Sequence, residues 1–259
     1  MFESEYLMWV AALGVLVGSL VSIELGRRLG QWHSGREQEA ARAGLGAIDG
    51  AIFALLGLLL AFTFSGAASR FDTRRQLIVE ETNAIGTAYL RLDLLPPAAR
   101  ANLQDQFRKY VDARLDVYRD VTDTVATQSR LAHVGELQLE IWRQTLEACP
   151  SATASSERML LIPALNQMFD IATARTLAGR MHPPRVIFTM LAVLIIMSSL
   201  LAGFGMAQSA RRSWLHIGSL ALMLAITFYV IVDLEHPRIG LIQVDPFDRA
   251  LTELRQSMN

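Results

Sequence analysis

Four stretches of the sequence are apolar and long enough to cross a lipid bilayer. A spanning helix needs about 20 apolar residues, because a helix satisfies its own backbone hydrogen bonds in hydrocarbon. The predicted spans are residues 6–23, 48–68, 186–207 and 214–232, and each has aromatic or charged residues near its ends. The sequence therefore predicts a multi-pass membrane protein that has the lipid bilayer as a partner.

The overall composition supports membrane insertion and excludes nucleic acid as a partner. Hydrophobic residues make up 52% of the 259 residues, which is more than one soluble core of this length requires. The formal net charge is −1, from 24 basic and 25 acidic residues. Because this balance produces no global field, we expect no binding to nucleic acid.

The sequence contains no pattern that is typical of an enzyme or a metal site. Cys149 is the only cysteine, which excludes an intrachain disulfide, and we expect it to be a buried or incidental thiol. A glycine-rich phosphate loop, a histidine cluster and a nucleophile motif are all absent. We therefore predict no catalytic activity, no cofactor and no metal. Acidic and basic residues are also absent from the middle of the spans, which disfavours a proton pump or a voltage sensor.

The region between the second and third spans predicts a helical extramembrane domain. Apolar residues recur there at helical spacing, including a stripe from Leu103 to Val125, and the second span continues without a break until Pro96 and Pro97. The predicted fold class is an all-α membrane protein with four transmembrane helices. Its predicted parts are a first transmembrane hairpin (1–68), a helical domain (69–185), a second transmembrane hairpin (186–232) and a C-terminal segment (233–259).

Small residues recur within the predicted spans at the spacing of one helix face. Such residues allow helices to approach closely in lipid, where packing drives association. We interpret them as packing positions, and they are Gly14, Gly18, Gly46, Gly50, Ser199 and Gly203.

The arginine distribution does not decide on which side of the membrane the domain lies. Six arginines lie near the span ends on one side and eight near the ends on the other, which is a small bias. The acidic N-terminus and the short arginine-bearing connection at 208–213 even favour the opposite orientation. Charge alone therefore does not determine the topology.

Two segments resemble the bestrophin family. Residues 58–75, which read LLLAFTFSGAASRFDTRR, resemble the second helix of bestrophins, and Asn83 resembles an asparagine that follows that helix. Beyond the fourth span, Asp245-Pro246-Phe247-Asp248 is similar to the Asn-Pro-Phe-Gly signature of that family. Together with the four spans and the large second loop, these segments resemble the bestrophin-like membrane proteins of bacteria.

The resemblance implies a location, an assembly and a pore. It implies an inner-membrane protein with a cytoplasmic domain and cytoplasmic termini, in which five subunits surround one axial pore. It further implies that Ala54, Leu58 and Phe62 line that pore, and a ring of such side chains can gate by dewetting. The acidic run that binds calcium in animal members is absent beyond Asp248, so we expect no calcium site.

Charged residues beyond the second span lead to two opposite expectations for ion selectivity. Arg70, Arg74 and Arg75 are expected to anchor the helix at the membrane interface, and in a ring they would favour anions. Glu80 and Glu81 would favour cations. The sequence does not choose between these two possibilities.

The segment after the fourth span is expected to pack against the helical domain. In this interpretation Asp245, Pro246, Phe247 and Asp248 form a rigid docking segment, and Phe247 enters an apolar pocket.

The leading functional hypothesis is an oligomeric channel for inorganic ions. The alternative is a non-conducting membrane scaffold or signalling protein whose helical domain binds a protein partner, whereas a transporter would need broken helices or polar midplane residues.

Overall fold

The structure is a computed structural model that describes residues 2–33, 39–119, 124–150, 154–207 and 212–258. All regular structure in these residues is helical, which confirms the predicted all-α fold. The α-helices are α1 (Phe2–His33), α2 (Glu39–Arg91), α3 (Pro97–Arg119), α4 (Thr124–Ala148), α5 (Ser155–Arg180), α6 (Arg185–Gly205), α7 (Trp214–Glu235) and α8 (Asp245–Ser257), and a 3-10 helix covers Leu92–Leu94.

Four segments of these helices are long and apolar enough to cross a membrane. They lie within Tyr6–Trp32, Gly46–Leu94, Ser155–Gly205 and Trp214–Glu235. The third range also contains α5, but its continuous apolar part is α6. The first helix extends about ten residues beyond the predicted end of its span at residue 23, because Glu24 and the arginines that follow it are compatible with a helix.

The chain forms two compact units, which we describe separately. The membrane unit comprises Met1–Phe71 and His182–Ile242, and the helical unit comprises Asp72–Met181 and Gln243–Asn259. Helix α2 contributes its first part to the membrane unit and its last part to the helical unit. The post-span helix α8 belongs to the helical unit.

Within the membrane unit, α1 and α6 run parallel and touch through backbone atoms. A methyl group at Gly26 would overlap the carbonyl oxygen of Leu200, and one at Gly203 would overlap the carbonyl oxygen of Ile23. Of the predicted packing glycines on α1, Gly18 lies at the seam, but no atom lies within 4 Å of a methyl group placed at Gly14. Close backbone contact of this kind is what small residues permit in lipid.

The helical unit has a continuous apolar core, in which helices α2 to α5 and α8 take part. The long helix was predicted from the sequence to end at Pro96, but α2 ends at Arg91 and a 3-10 turn covers Leu92–Leu94. Leu95 is then extended, as expected for a residue before proline. Val125 lies in α4 and not on the α3 stripe where the sequence placed it. Cys149 is buried as predicted, and burial raises the pKa of its thiol. The largest buried apolar side chains of this core include Phe107, Tyr110, Ile141, Leu161, Leu165 and Met168.

Candidate pore helix and its charged surroundings

Within the membrane unit, helix α2 is covered by its own chain much less than the other spans. Only 6% of its apolar segment is buried, against 28% to 39% for the other three candidate spans. Leu56 and Ala67 face the apolar core of the unit. The three predicted pore residues lie on the exposed side, where Leu58 is 53% and Phe62 is 66% exposed and Ala54 is also exposed.

The exposed side of α2 also carries small residues. No atom lies within 4 Å of a methyl group placed at Gly50 or Gly57, and Ala54 and Ala61 are exposed. This differs from Gly26 on α1, where a neighbouring backbone fills the equivalent space. Small residues of this kind permit the close approach of helices in lipid.

Arg70, at the end of the span, is held by a buried carboxylate. Its guanidinium donates from Nε to Glu235 Oε1 at 2.8 Å and also from Nη2 to the same oxygen. Glu235 ends α7 and is buried. The rings of His182 and His236 stack beside this pair at 5.3 Å between centroids, and His182 Nδ1 lies 3.8 Å from Glu235 Oε2.

Arg74 binds the C-terminal end of α5. This buried side chain donates from Nη2 to the carbonyl of Met181 at 2.8 Å and from Nε to the carbonyl of Ala178 at 3.2 Å. A cation at this position compensates the carbonyl groups that a helix end leaves without helical partners. Arg74 is thus placed as a helix cap and does not face the exposed side of α2.

Arg75 lies between a carboxylate and an aromatic ring. Its Nη1 is 3.2 Å from Asp72 Oδ1, and its guanidinium carbon lies 4.3 Å from the centre of the Phe247 ring. This cation–π contact with the half-buried Phe247 was not predicted from the sequence. The side chains of Asp245 and Pro246, which the sequence placed in the same docking segment, lie outside the described residues.

Glu81 lies at the centre of a buried charge network. Arg114 Nε is 2.5 Å from Glu81 Oε1, and Arg175 Nη1 is 2.6 Å from Glu81 Oε2. Arg175 also binds Asp248 at 2.5 Å and lies over the Tyr118 ring at 3.9 Å. Burial alone would lower the pKa of Arg114, but the Glu81 carboxylate outweighs this effect and raises it.

Helices α2, α3, α5 and α8 are therefore joined through one set of opposite charges, which we call the Glu81 network. The two arginines of this network were not predicted from the sequence. The only available signal was the position of Arg114 on the same helix face as Tyr110 and Tyr118, four residues away on either side.

Glu80 occupies a different environment from Glu81, although the two are adjacent in sequence. It is partly exposed and accepts a hydrogen bond from Gln76 Nε2 at 2.7 Å. Glu80 also lines an open groove of about 240 Å³. Of the two carboxylates that the sequence proposed for a ring, only Glu80 can meet solvent.

The described residues contain no group of three or more His, Cys, Asp or Glu side chains that could hold a metal ion. Asp248 is engaged with Arg175. The described residues therefore provide an exposed apolar face on α2 and a set of paired charges.

Comparisons with known proteins identify the family. The Bestrophin-like domain family matches residues 11–247, and the chain belongs to this family. No curated protein matches the chain in sequence.

The fold is similar to that of solved bacterial membrane proteins. Two crystal structures of variants of a bacterial Bestrophin homolog from Klebsiella pneumoniae align with TM-scores of 0.69 and 0.71 at 15% and 12% identity. The first alignment covers 95% of this chain and 97% of that chain, and the second covers 95% and 98%. A further crystal structure, described as a membrane protein, aligns with a TM-score of 0.70 at 13% identity and covers 96% of both chains.

Proposed function

We propose that this protein is one subunit of an oligomeric ion channel whose pore is lined by the exposed face of α2. The observation that carries the proposal is the open surface of this span, of which only 6% is buried by its own chain. A second copy could pack against the small residues around Gly57, with Leu58 and Phe62 facing the axis. Membership of the Bestrophin-like family supports the same function.

The proposed neck consists of rings of Ala54, Leu58 and Phe62 side chains. These residues repeat every four positions, which places them along one side of the helix. Water is unstable in a narrow apolar ring, so such a ring opposes ion passage until it widens. By the resemblance, the assembly is a pentamer in the inner membrane, with the helical unit and both termini in the cytoplasm.

We further propose that the pore prefers cations. By the helical repeat, Asp72 and Glu80 fall on the same side of α2 as Leu58. Asp72 is paired with Arg75, so Glu80 is the residue that brings net negative charge to this side. The nearby arginines have partners elsewhere: Arg70 binds Glu235, and Arg74 binds carbonyl groups of the α5 end. Negative charge on the pore face would attract cations and repel anions.

Truncating the proposed neck should release ion flux. We expect Phe62→Ala to raise ion flux through reconstituted liposomes about tenfold, equivalent to a barrier lower by about 1.4 kcal/mol, because the ring loses its apolar bulk. Phe53→Ala is the matched control, since Phe53 is also exposed but lies on the opposite side of α2. Equal flux through both variants would exclude a neck at Phe62.

Removing the carboxylate of Glu80 should weaken cation preference. In asymmetric salt, we expect Glu80→Gln to reduce the cation-to-anion permeability ratio by about threefold, because the proposed pore face loses one negative charge per subunit. Reversal potentials measure this ratio. Glu136→Gln, on the exposed surface of α4, removes the same charge and should leave the reversal potential unchanged. An unchanged potential in Glu80→Gln would contradict the cation proposal.

The scaffold hypothesis is tested by the mass of the detergent-solubilised protein. An assembly of several copies is required for an axial pore, and a monomer would favour a non-conducting role.

A further inference from the structure

The groove beside Glu80 lies between α2 and α5, entirely within the helical unit. We call it the α2–α5 groove. Glu80, Asn83 and Thr87 lie on one face of α2, and Gln167 and Ile171 lie one turn apart on α5. Ala84, which is buried, completes the lining.

The side chains of the α2–α5 groove are suited to a ligand that carries positive charge. They supply one carboxylate, two carboxamides and one hydroxyl, and no lysine or arginine is among them. The hydrogen bond from Gln76 to Glu80 Oε1 orients the carboxylate. An anion would meet a negative charge without a compensating cation, so the groove disfavours anions.

The size and the apolar wall of the groove distinguish between kinds of cation. The groove is open to solvent and its volume of about 240 Å³ is far more than a bare metal ion fills. A divalent ion would also require more anionic oxygens than one carboxylate provides. The aliphatic surface of Ala84 and Ile171 would instead contact a hydrocarbon chain.

We propose that the α2–α5 groove binds a small aliphatic amine, whose ammonium group pairs with Glu80 and whose methylene groups lie along Ile171. Asn83, Thr87 and Gln167 offer oxygen atoms to the remaining N–H groups. The consequence for transport rests on the proposed function: Glu80 lies on the proposed pore face, so an amine bound there obstructs ion passage.

Binding can be measured directly on the purified full-length protein in detergent. The probe is 1,4-diaminobutane, titrated calorimetrically against wild-type protein, Glu80→Gln and Asn83→Ala. We expect Glu80→Gln to weaken binding about tenfold or more, because a charge-assisted hydrogen bond is lost, and Asn83→Ala to weaken it about threefold. Glu136→Gln, with the same change of charge on α4, should bind as the wild type does.

Two results would overturn the inference: no binding to the wild-type protein, or equal binding by Glu80→Gln and Glu136→Gln. Comparing n-butylamine with ammonium chloride, which carry one positive charge each, tests the hydrocarbon contact, since butylamine should bind more tightly. Equal affinities for the two would show that the aliphatic wall takes no part, and would contradict the proposed ligand class.

A flux assay separates this inference from the proposed function. In liposomes, the diamine should inhibit cation flux through wild-type protein at concentrations at which Glu80→Gln is unaffected. If the diamine binds but the wild-type protein carries no flux at all, the site stands and the channel proposal fails. If flux is present but the diamine neither binds nor inhibits, the channel proposal stands and the site fails.

Discussion

Replacing Gly26 with valine should strongly destabilise the membrane unit. A side chain at this position would overlap the carbonyl oxygen of Leu200, which is backbone and cannot rotate away. Helices α1 and α6 would have to separate, and the parallel contact through Gly203 and Ile23 would open with them. We expect a destabilisation of more than about 3 kcal/mol, at the upper end of overpacking effects.

A matched substitution on the same helix isolates the contact. At Gly14 no atom lies within 4 Å of the position that a new methyl group would occupy, so Gly14→Val should change stability by less than about 1 kcal/mol. Thermal unfolding of the detergent-solubilised variants, monitored by size-exclusion chromatography after heating, measures the difference in stability. If the two variants unfold at the same temperature, the α1–α6 seam is not the contact that holds the membrane unit together.

The comparison of these glycines shows what the sequence could predict about helix packing. Spacing alone identified Gly14 and Gly18 as packing positions, but only Gly18 lies at the seam. Gly26 was missed because the first span was predicted to end at residue 23, where charged residues begin. Apolar length predicts where lipid ends, whereas the helix and its packing face continue beyond that point.

The second helix was easier to predict from the sequence than its surroundings. Its length follows from an uninterrupted helical pattern without glycine pairs or proline, and α2 extends over 53 residues. The exposure of Leu58 and Phe62 follows from that pattern only if one knows which face the other spans cover. Which face of α2 is covered depends on the tertiary contacts of Leu56 and Ala67, and these contacts cannot be read from the local sequence pattern.

The partners of the charged residues could not be predicted from the sequence. Arg70 and Arg74 were expected to interact with lipid headgroups or to face a pore, yet they bind Glu235 and the end of α5. These partners are more than 100 residues away in the chain. Adjacent glutamates differ in direction by about 100° on a helix, so Glu81 enters the core while Glu80 faces the groove.

Replacing Glu81 with glutamine should destabilise the helical unit strongly. The change removes the central negative charge of the Glu81 network, in which Arg114 and Arg175 are both buried. Within the Glu81 network, Asp248 is then the one remaining carboxylate beside two buried arginines. Leaving a buried charge without its partner costs about 3 to 5 kcal/mol, because desolvation is no longer compensated.

The neighbouring position provides the control for this effect. Glu80→Gln is the same substitution one residue earlier, but Glu80 is partly exposed, so we expect a change within about 0.5 kcal/mol. Urea unfolding of both purified variants, monitored by helical circular dichroism, compares them under identical conditions. Equal midpoints would show that the Glu81 network does not stabilise the unit. If only Glu81→Gln is weakened, the Glu81 network stabilises the helical unit in addition to its apolar core.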